Sequence, residues 1–179
     1  GYDSLEKSNF KNDARHQIRP EKKMKKTAIL FTILISALTF NAQNNVNLKW
    51  ENDMNVCIQQ SMSTKKPIML FFTGSDWCGW CMRLQKEVFQ TPEFSAWASE
   101  NVILMEVDFP RKTVLPENIR QQNNQLQGSF AVRGYPTVFF VNPAMGEDGK
   151  IALNSLGQTG YQQGGPTSWI NSVSGFLKK

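Results

Sequence analysis

Trp77-Cys78-Gly79-Trp80-Cys81 is the stretch of this chain whose residue types and spacing are best suited to chemistry. Cysteine attacks disulfides as the thiolate, so whatever stabilises that anion also activates it. The pair stands between an apolar run (67–72) and a segment of helical spacing (82–89). A cysteine in the first turn of a helix sits among backbone N–H groups that have no helical partner, and these favour its thiolate. A cysteine three residues further on lies on the same helix face, close enough to close a disulfide with the first. Strand, turn and paired cysteines at a helix start point to redox exchange.

Competing chemistries lack their residues. The one histidine, His16, precedes an apolar leader-like segment, so the chain beyond that segment has none. That removes Cys-His and Ser-His hydrolases and histidine acid–base catalysis. Met82, not histidine, follows Cys81, so this is no haem-attachment motif. A zinc site needs about four ligands, and Cys57, Cys78 and Cys81 stand without a second pair, so no metal is expected.

The elements that must carry this motif lie downstream of an address segment. Met24 is the first methionine; Lys25 and Lys26 follow, then an apolar run (27–40), then Asn41-Ala42. This reads as a signal peptide over 24–42 cleaved near Ala42, hence an exported protein, periplasmic or extracellular. The run is shorter than the roughly 20 residues of a spanning helix. Residues 1–23 are polar and read as an upstream segment outside the mature protein, leaving a single domain over 43–179. Charge follows the same division. Taking the eight basic and four acidic residues before Gln43 from totals of 20 and 15 leaves 12 and 11. With no basic run remaining, nucleic acid is not an expected partner.

Along the mature chain, Trp50, Met54, Cys57, Ile58, Ser61 and Met62 have helical spacing, which predicts a helix over 50–64. Cys57 on its apolar face reads as a buried, inert thiol. Residues 68–72 read as a strand buried on both faces, and Ser75 or Asp76 as the cap of a helix over 78–90 with Cys81, Leu84 and Val88 inward. Thr91-Pro92-Glu93 opens another helix, followed by a strand over 102–107, a loop, and a polar helix from Pro116. Residues 136–141 and 151–156 read as strands joined by a turn carrying Asp148-Gly149, and 166–177 as a closing helix. The sum is an α/β fold, a mixed central sheet of four or five strands flanked by helices.

Over about 46–179 this pattern resembles the thioredoxin superfamily, and in particular its secreted single-domain disulfide reductases. Three stretches carry the resemblance: F-F-T-G-S-D-W-C-G-W-C-M-R-L (71–84), V-R-G-Y-P-T-V-F-F-V (132–141) and G-Y-Q-Q-G-G-P (160–166). A G-x-P-T placed about 55 residues after the cysteine pair and before a strand makes the match specific. The resemblance implies a nucleophilic Cys78, a resolving Cys81 and a redox-active Cys78–Cys81 disulfide with no other cofactor. It implies a cis-proline at Pro136, beside the cysteines, and a substrate held as an added strand on the backbone of Tyr135. Trp77, Gly79 and Trp80 would shape the contact surface. Partners would be disulfide-containing proteins and, for a reductase, a membrane thiol donor; the protein reads as a monomer.

Several positions depart from the family pattern. The buried aspartate expected six residues before the first cysteine is replaced by Phe72, and its lysine partner by the region Ile103-Leu104-Met105. That leaves the Cys81 proton without an evident acceptor. Asp76 is the nearest acid in sequence, though a capping or turn role suits its position better. Glu87 falls on the helix face opposite Cys78 and reads as structural or solvated. Residues 109–131 form a longer connection than the simplest members have. Gly79-Trp80 supplies neither the proline of classical thioredoxins nor the histidine of oxidising members. The expectation is therefore a moderately reducing protein, a reductase or isomerase. The rival reading is a non-catalytic binding module with a structural Cys78–Cys81 bond. A bond closing so short a loop constrains the unfolded chain little, which argues against that rival.

Overall fold

The structure is a computed structural model, and it describes residues 48–178. The leader-like segment, the residues before it and His16 lie outside the described residues. Five strands form one mixed sheet in the order β1-β3-β2-β4-β5. These are β1 (Trp50–Glu51), β2 (Ile68–Thr73), β3 (Ile103–Asp108), β4 (Thr137–Met145) and β5 (Ile151–Thr159). β3 runs parallel to β1 and β2, while β4 lies antiparallel to β2 and β5.

β2 is central and buried along its whole length, which explains its unbroken apolar sequence. Alternation divides its side chains between two cores. Met69 and Phe71 face a cluster with Cys78, Cys81, Leu84, Phe89, Phe94 and Trp169. Leu70 and Phe72 face another with Met54, Cys57, Val107, Leu126 and Val132.

The first helix is shorter than its periodicity predicts. Trp50 and Glu51 are extended and pair with Leu104 and Met105, so they form an edge strand instead. Helix α1 then spans Met54–Thr64, with the Asp53 carboxylate capping the Asn55 N–H. Sheet pairing overrides helical spacing at this end, because Trp50 packs on Phe71 and Phe89 from β1. Cys57 is fully buried on α1 and reduced. Burial foremost, with the charges of Glu51 and Asp53, pushes its thiol up to about 12.

Helix α2 (Gly79–Leu84) continues into a π-helical turn (Gln85–Phe89), and Thr91 caps α3 (Pro92–Asn101). The polar helix α4 spans Glu117–Ser129. Helix α5 (Gly165–Val173) ends in a 3₁₀ turn over Ser174–Leu177 and buries Trp169 and Val173.

Candidate active site

β2 ends at Thr73, and a turn follows in which the Gly74 carbonyl accepts from the N–H groups of Trp77 and Cys78. This turn delivers Cys78 to the start of α2. A Cβ on Gly74 would lie 2.4 Å from Trp77 Cε2, so only glycine lets that ring lie across the turn. Cys78 itself occupies the cap position: its Sγ accepts from the Cys81 N–H at 3.2 Å. Neither Ser75 nor Asp76 caps this helix, contrary to the sequence expectation.

Cys78 and Cys81 are joined by a disulfide, with Cα atoms 5.3 Å apart. Cys78 keeps a small exposure of 6%, whereas Cys81 has none. A sulfur reachable from outside and one sealed beneath it are what sequential exchange at a disulfide requires.

Ser75 and Asp76 instead tie the turn to the end of β3 and to the chain that follows it. Ser75 donates through its N–H and Oγ to the Asp108 carboxylate, at 2.8 and 2.5 Å. The Asp76 carboxylate accepts from the backbone N–H groups of Arg111, Lys112 and Thr113, with distances from 2.7 to 3.3 Å. Those bonds, led by that from Arg111, hold the Asp76 carboxyl below its ordinary range. Asp76 is thus a brace for the loop. The longer connection over 109–131 begins as one wall of the site.

Trp77 is pinned within this wall. Its Nε1–H donates to the Phe109 carbonyl at 2.8 Å, and the Arg111 guanidinium lies 3.9 Å from its ring centroid. The Tyr135 ring meets it edge-on at 5.8 Å and stacks on Phe109 at 5.4 Å. Gln127 of α4 donates to the Tyr135 hydroxyl, and buried Asn123 donates to the Asp108 carbonyl. The Tyr135–Pro136 peptide is cis, and the Pro136 carbonyl approaches Gly160, where a Cβ would stand 3.2 Å away.

Trp80 lies on the other side, 56% exposed. Its ring sits 5.2 Å from that of Tyr161, and the Arg83 guanidinium lies 5.4 and 5.1 Å from the two centroids. Glu87 completes the group, accepting from the Tyr161 hydroxyl at 2.6 Å and from Arg83 Nε at 2.7 Å. These two bonds, the first the stronger influence, hold its carboxyl below the ordinary range. Glu87 is therefore structural, as its helix position suggested, but through a partner from the glycine-rich stretch. Nothing in the sequence marks Arg83, Arg111 or Tyr161 as members of the site. Arg111 and Tyr161 act through long-range contacts that periodicity does not encode, whereas Arg83 meets Trp80 and Glu87 at ordinary helical spacing and becomes notable only through Tyr161.

Phe72 stands at the position where the family pattern has an acid. Phe72 points into the core opposite the cysteines, and Phe71 belongs to the cysteine-bearing cluster. Among the described residues, no group of three or more His, Cys, Asp or Glu is placed to hold a metal ion.

A mixed five-stranded sheet, a disulfide whose first cysteine caps the helix after the central strand, and a cis-proline just ahead of β4 define a thioredoxin-like protein. The family model described as thioredoxin-like matches residues 49–143, and the chain belongs to that family. The disulfide bond reductase DsbH of Chlamydia pneumoniae is 37% identical over 132 residues, 74% of each chain. The thioredoxin-related protein DsbJ of the same organism is 32% identical over 66% of this chain but only 36% of its own. A solved DsbH oxidoreductase superposes with a TM-score of 0.64 at 37% identity, covering 73% of this chain and 85% of that one. A thioredoxin from Thermus thermophilus shares the fold at 16% identity, with a TM-score of 0.52, over 71% of this chain and 85% of its own. The protein is a thiol–disulfide oxidoreductase, and its Cys78–Cys81 pair fits dithiol–disulfide exchange.

Proposed function

We propose that this protein reduces, or isomerises, protein disulfides in the cell envelope, with Cys78 as nucleophile and Cys81 as resolving thiol. The observation that carries the assignment is the asymmetry of the pair: Cys78 keeps a slight exposure with its sulfur on a backbone N–H, and Cys81 is sealed. In the dithiol form the Cys78 thiolate attacks a substrate disulfide. One substrate sulfur leaves as thiolate and takes a proton, and Cys78 is left in a mixed disulfide. Cys81 loses its proton and attacks Cys78, breaking the bond to substrate and closing Cys78–Cys81. Two electrons pass from protein to substrate.

Trp77, Gly79 and Trp80 form the rim that substrate meets, and the backbone of Tyr135 ahead of Pro136 is the docking edge for an extended segment. The reductive direction is supported by the name of the DsbH relative and by the absence of histidine between the cysteines. An envelope address rests on the leader-like segment and the Dsb relatives; a membrane thiol donor would then regenerate the dithiol. No helix among the described residues is long and apolar enough to cross a membrane.

Turnover of a protein disulfide with a thiol reductant, together with the reduction potential, tests this reading. The expected result is catalysis abolished by Cys78→Ser, with a potential well below about −120 mV, the strongly oxidising end. A potential near that value overturns the reductive direction. Absence of any turnover by the wild-type protein leaves the binding-module alternative standing.

A further inference from the structure

β3 ends at Asp108, and a loop over 109–116 leads to the start of α4 at Glu117. Between this loop and α4 lies a hollow of about 370 Å³. Phe109, Pro110, Val114 and Leu115 give it an apolar lining, and Arg120 and Asn123 of α4 a polar side. Val114 is 93% exposed, the most open of the large hydrophobic side chains among the described residues. A single exposed valine is ordinary on a protein surface. This one differs because its loop is fixed to the turn that carries Cys78.

Three residues of the lining bond directly to that turn. The Asp108 carboxylate accepts from Ser75, the Phe109 carbonyl accepts from Trp77 Nε1–H, and the Thr113 N–H donates to Asp76. The Phe109 ring also stacks on Tyr135, the residue before the cis-proline. The hollow thus shares Phe109 with the wall that stands beside the cysteines. The charges of this wall are sided. Its acids are engaged: Asp76 with the loop amides, Asp108 with Ser75, and Glu117 with Arg120. Its cations Arg111 and Lys112 form no ion pair among the described residues.

We propose that the hollow between the 109–116 loop and α4 is a second docking point for protein substrates. It takes a large apolar side chain from the segment flanking the substrate disulfide, while Arg111 and Lys112 meet an acidic residue of the same segment. This role rests on the function proposed above, in which an extended stretch of substrate lies along the Tyr135 backbone. Continuity through Phe109 supplies the occupant, since a chain held at Tyr135 has the hollow beside it. The loop is already braced by Asp76 and Trp77, so it gives up little freedom on binding. The hollow selects among substrates and does no chemistry at sulfur, so its signature belongs to KM rather than kcat.

Two disulfide peptides read this out in the full-length protein. One carries leucine and glutamate beside its disulfide, and the other serine and lysine in the same places. Wild type is expected to favour the first about tenfold in kcat/KM, the scale on which an apolar pocket discriminates, and to lose part of that preference as salt rises. Val114→Asp brings the ratio close to one, through KM for the leucine peptide, and Val114→Ile keeps the preference. A ratio cancels any general loss of active protein, and an exposed position puts the fold at little risk. Equal turnover of both peptides by wild type, or an intact preference in Val114→Asp, would overturn the docking role and still uphold the disulfide chemistry. A cysteine-free form of the first peptide, with serine in place of each cysteine, separates the two from the other side. Its addition is expected to shift the amide resonances of residues 111–115 and of Asn123 and Asn124. Shifts there without turnover of any disulfide would uphold the docking surface and sink the reductase reading, whereas no shift there would overturn the docking surface.

Discussion

The two tryptophans of the reactive motif, one before Cys78 and one between the cysteines, sit in opposite kinds of surroundings. Trp77 is half-buried and held from three directions: a hydrogen bond to the Phe109 carbonyl, the Arg111 guanidinium on its face, and Tyr135 at its edge. Each holder is itself fixed, Arg111 through its N–H on Asp76 and Tyr135 through Gln127 and Phe109. Trp80 is exposed and meets the side chains of Tyr161 and Arg83, which Glu87 joins. The Trp77 side is a built wall anchored in backbone. The Trp80 side is an exposed platform held by side chains alone, Tyr161 and Arg83 joined through Glu87. A thiol–disulfide oxidoreductase gains from pairing a fixed wall with an exposed ring beside its cysteines.

The comparison breaks if removing either tryptophan costs the same. Trp77→Ala is expected to have the largest effect, about 3 kcal/mol of stability, from lost packing and an unpartnered Phe109 carbonyl. Denaturant unfolding of the oxidised protein measures it. Turnover falls with it, because the turn that carries Cys78 loses its anchor to the loop after β3. Trp77→Phe keeps the ring contacts and loses only the N–H donor, so it should cost about 1 kcal/mol. If Trp77→Ala left the unfolding midpoint unchanged, the wall would carry no load.

How much of this was legible beforehand follows the range of the interactions. The unbroken apolar run at 68–72 gave the central strand, and the cysteine spacing on the next helix gave the sulfur pair, because both signals are local. The extended start at Trp50 was not legible: its spacing suits a helix, and only the parallel partner Leu104 makes it a strand. Asp76 was misread for a similar reason. A short acid before a helix is a good cap by local rules, but here the Cys78 sulfur fills that role and the loop at 111–113 offers three free N–H groups. Glu87 and Tyr161 are 74 residues apart, and neither residue's neighbours predict the other. Counting back from Cys78 likewise located Phe72 but not its direction, which depends on how the strand meets the turn.

A smaller effect, confined to the wall, is expected from Asp76→Asn. Its carboxylate has a lowered folded-state pKa, so its stabilising contribution is fully present above the ordinary aspartate range near about 4 and fades as pH falls through the lowered value. The asparagine variant should therefore show at neutral pH the loosening that wild type shows only in acid. Hydrogen exchange at the amides of Arg111, Lys112 and Thr113 reads this directly: faster in the variant, with the β2 amides unaffected. Unchanged protection at those three amides would mean that the loop holds itself, and that the anchoring runs from Ser75 and Trp77.

The smallest structural effect is expected from Trp80→Ala, which sharpens the comparison from the other side. An exposed ring contributes little to folding, so unfolding should move by no more than about 0.5 kcal/mol. Its effect belongs to binding. A small-molecule disulfide reaches Cys78 without needing a platform, so its turnover should be unchanged. A protein disulfide must lay a chain segment across the rim, so its KM should rise while kcat holds, the pattern of lost uniform binding. Arg83→Gln should reproduce a weaker form of the same split, since it removes the cation lying near both rings and one hydrogen bond to Glu87 but leaves the indole in place. Loss of kcat towards both substrates would instead place Trp80 in the fixed part of the site, and the two sides would then differ only in exposure.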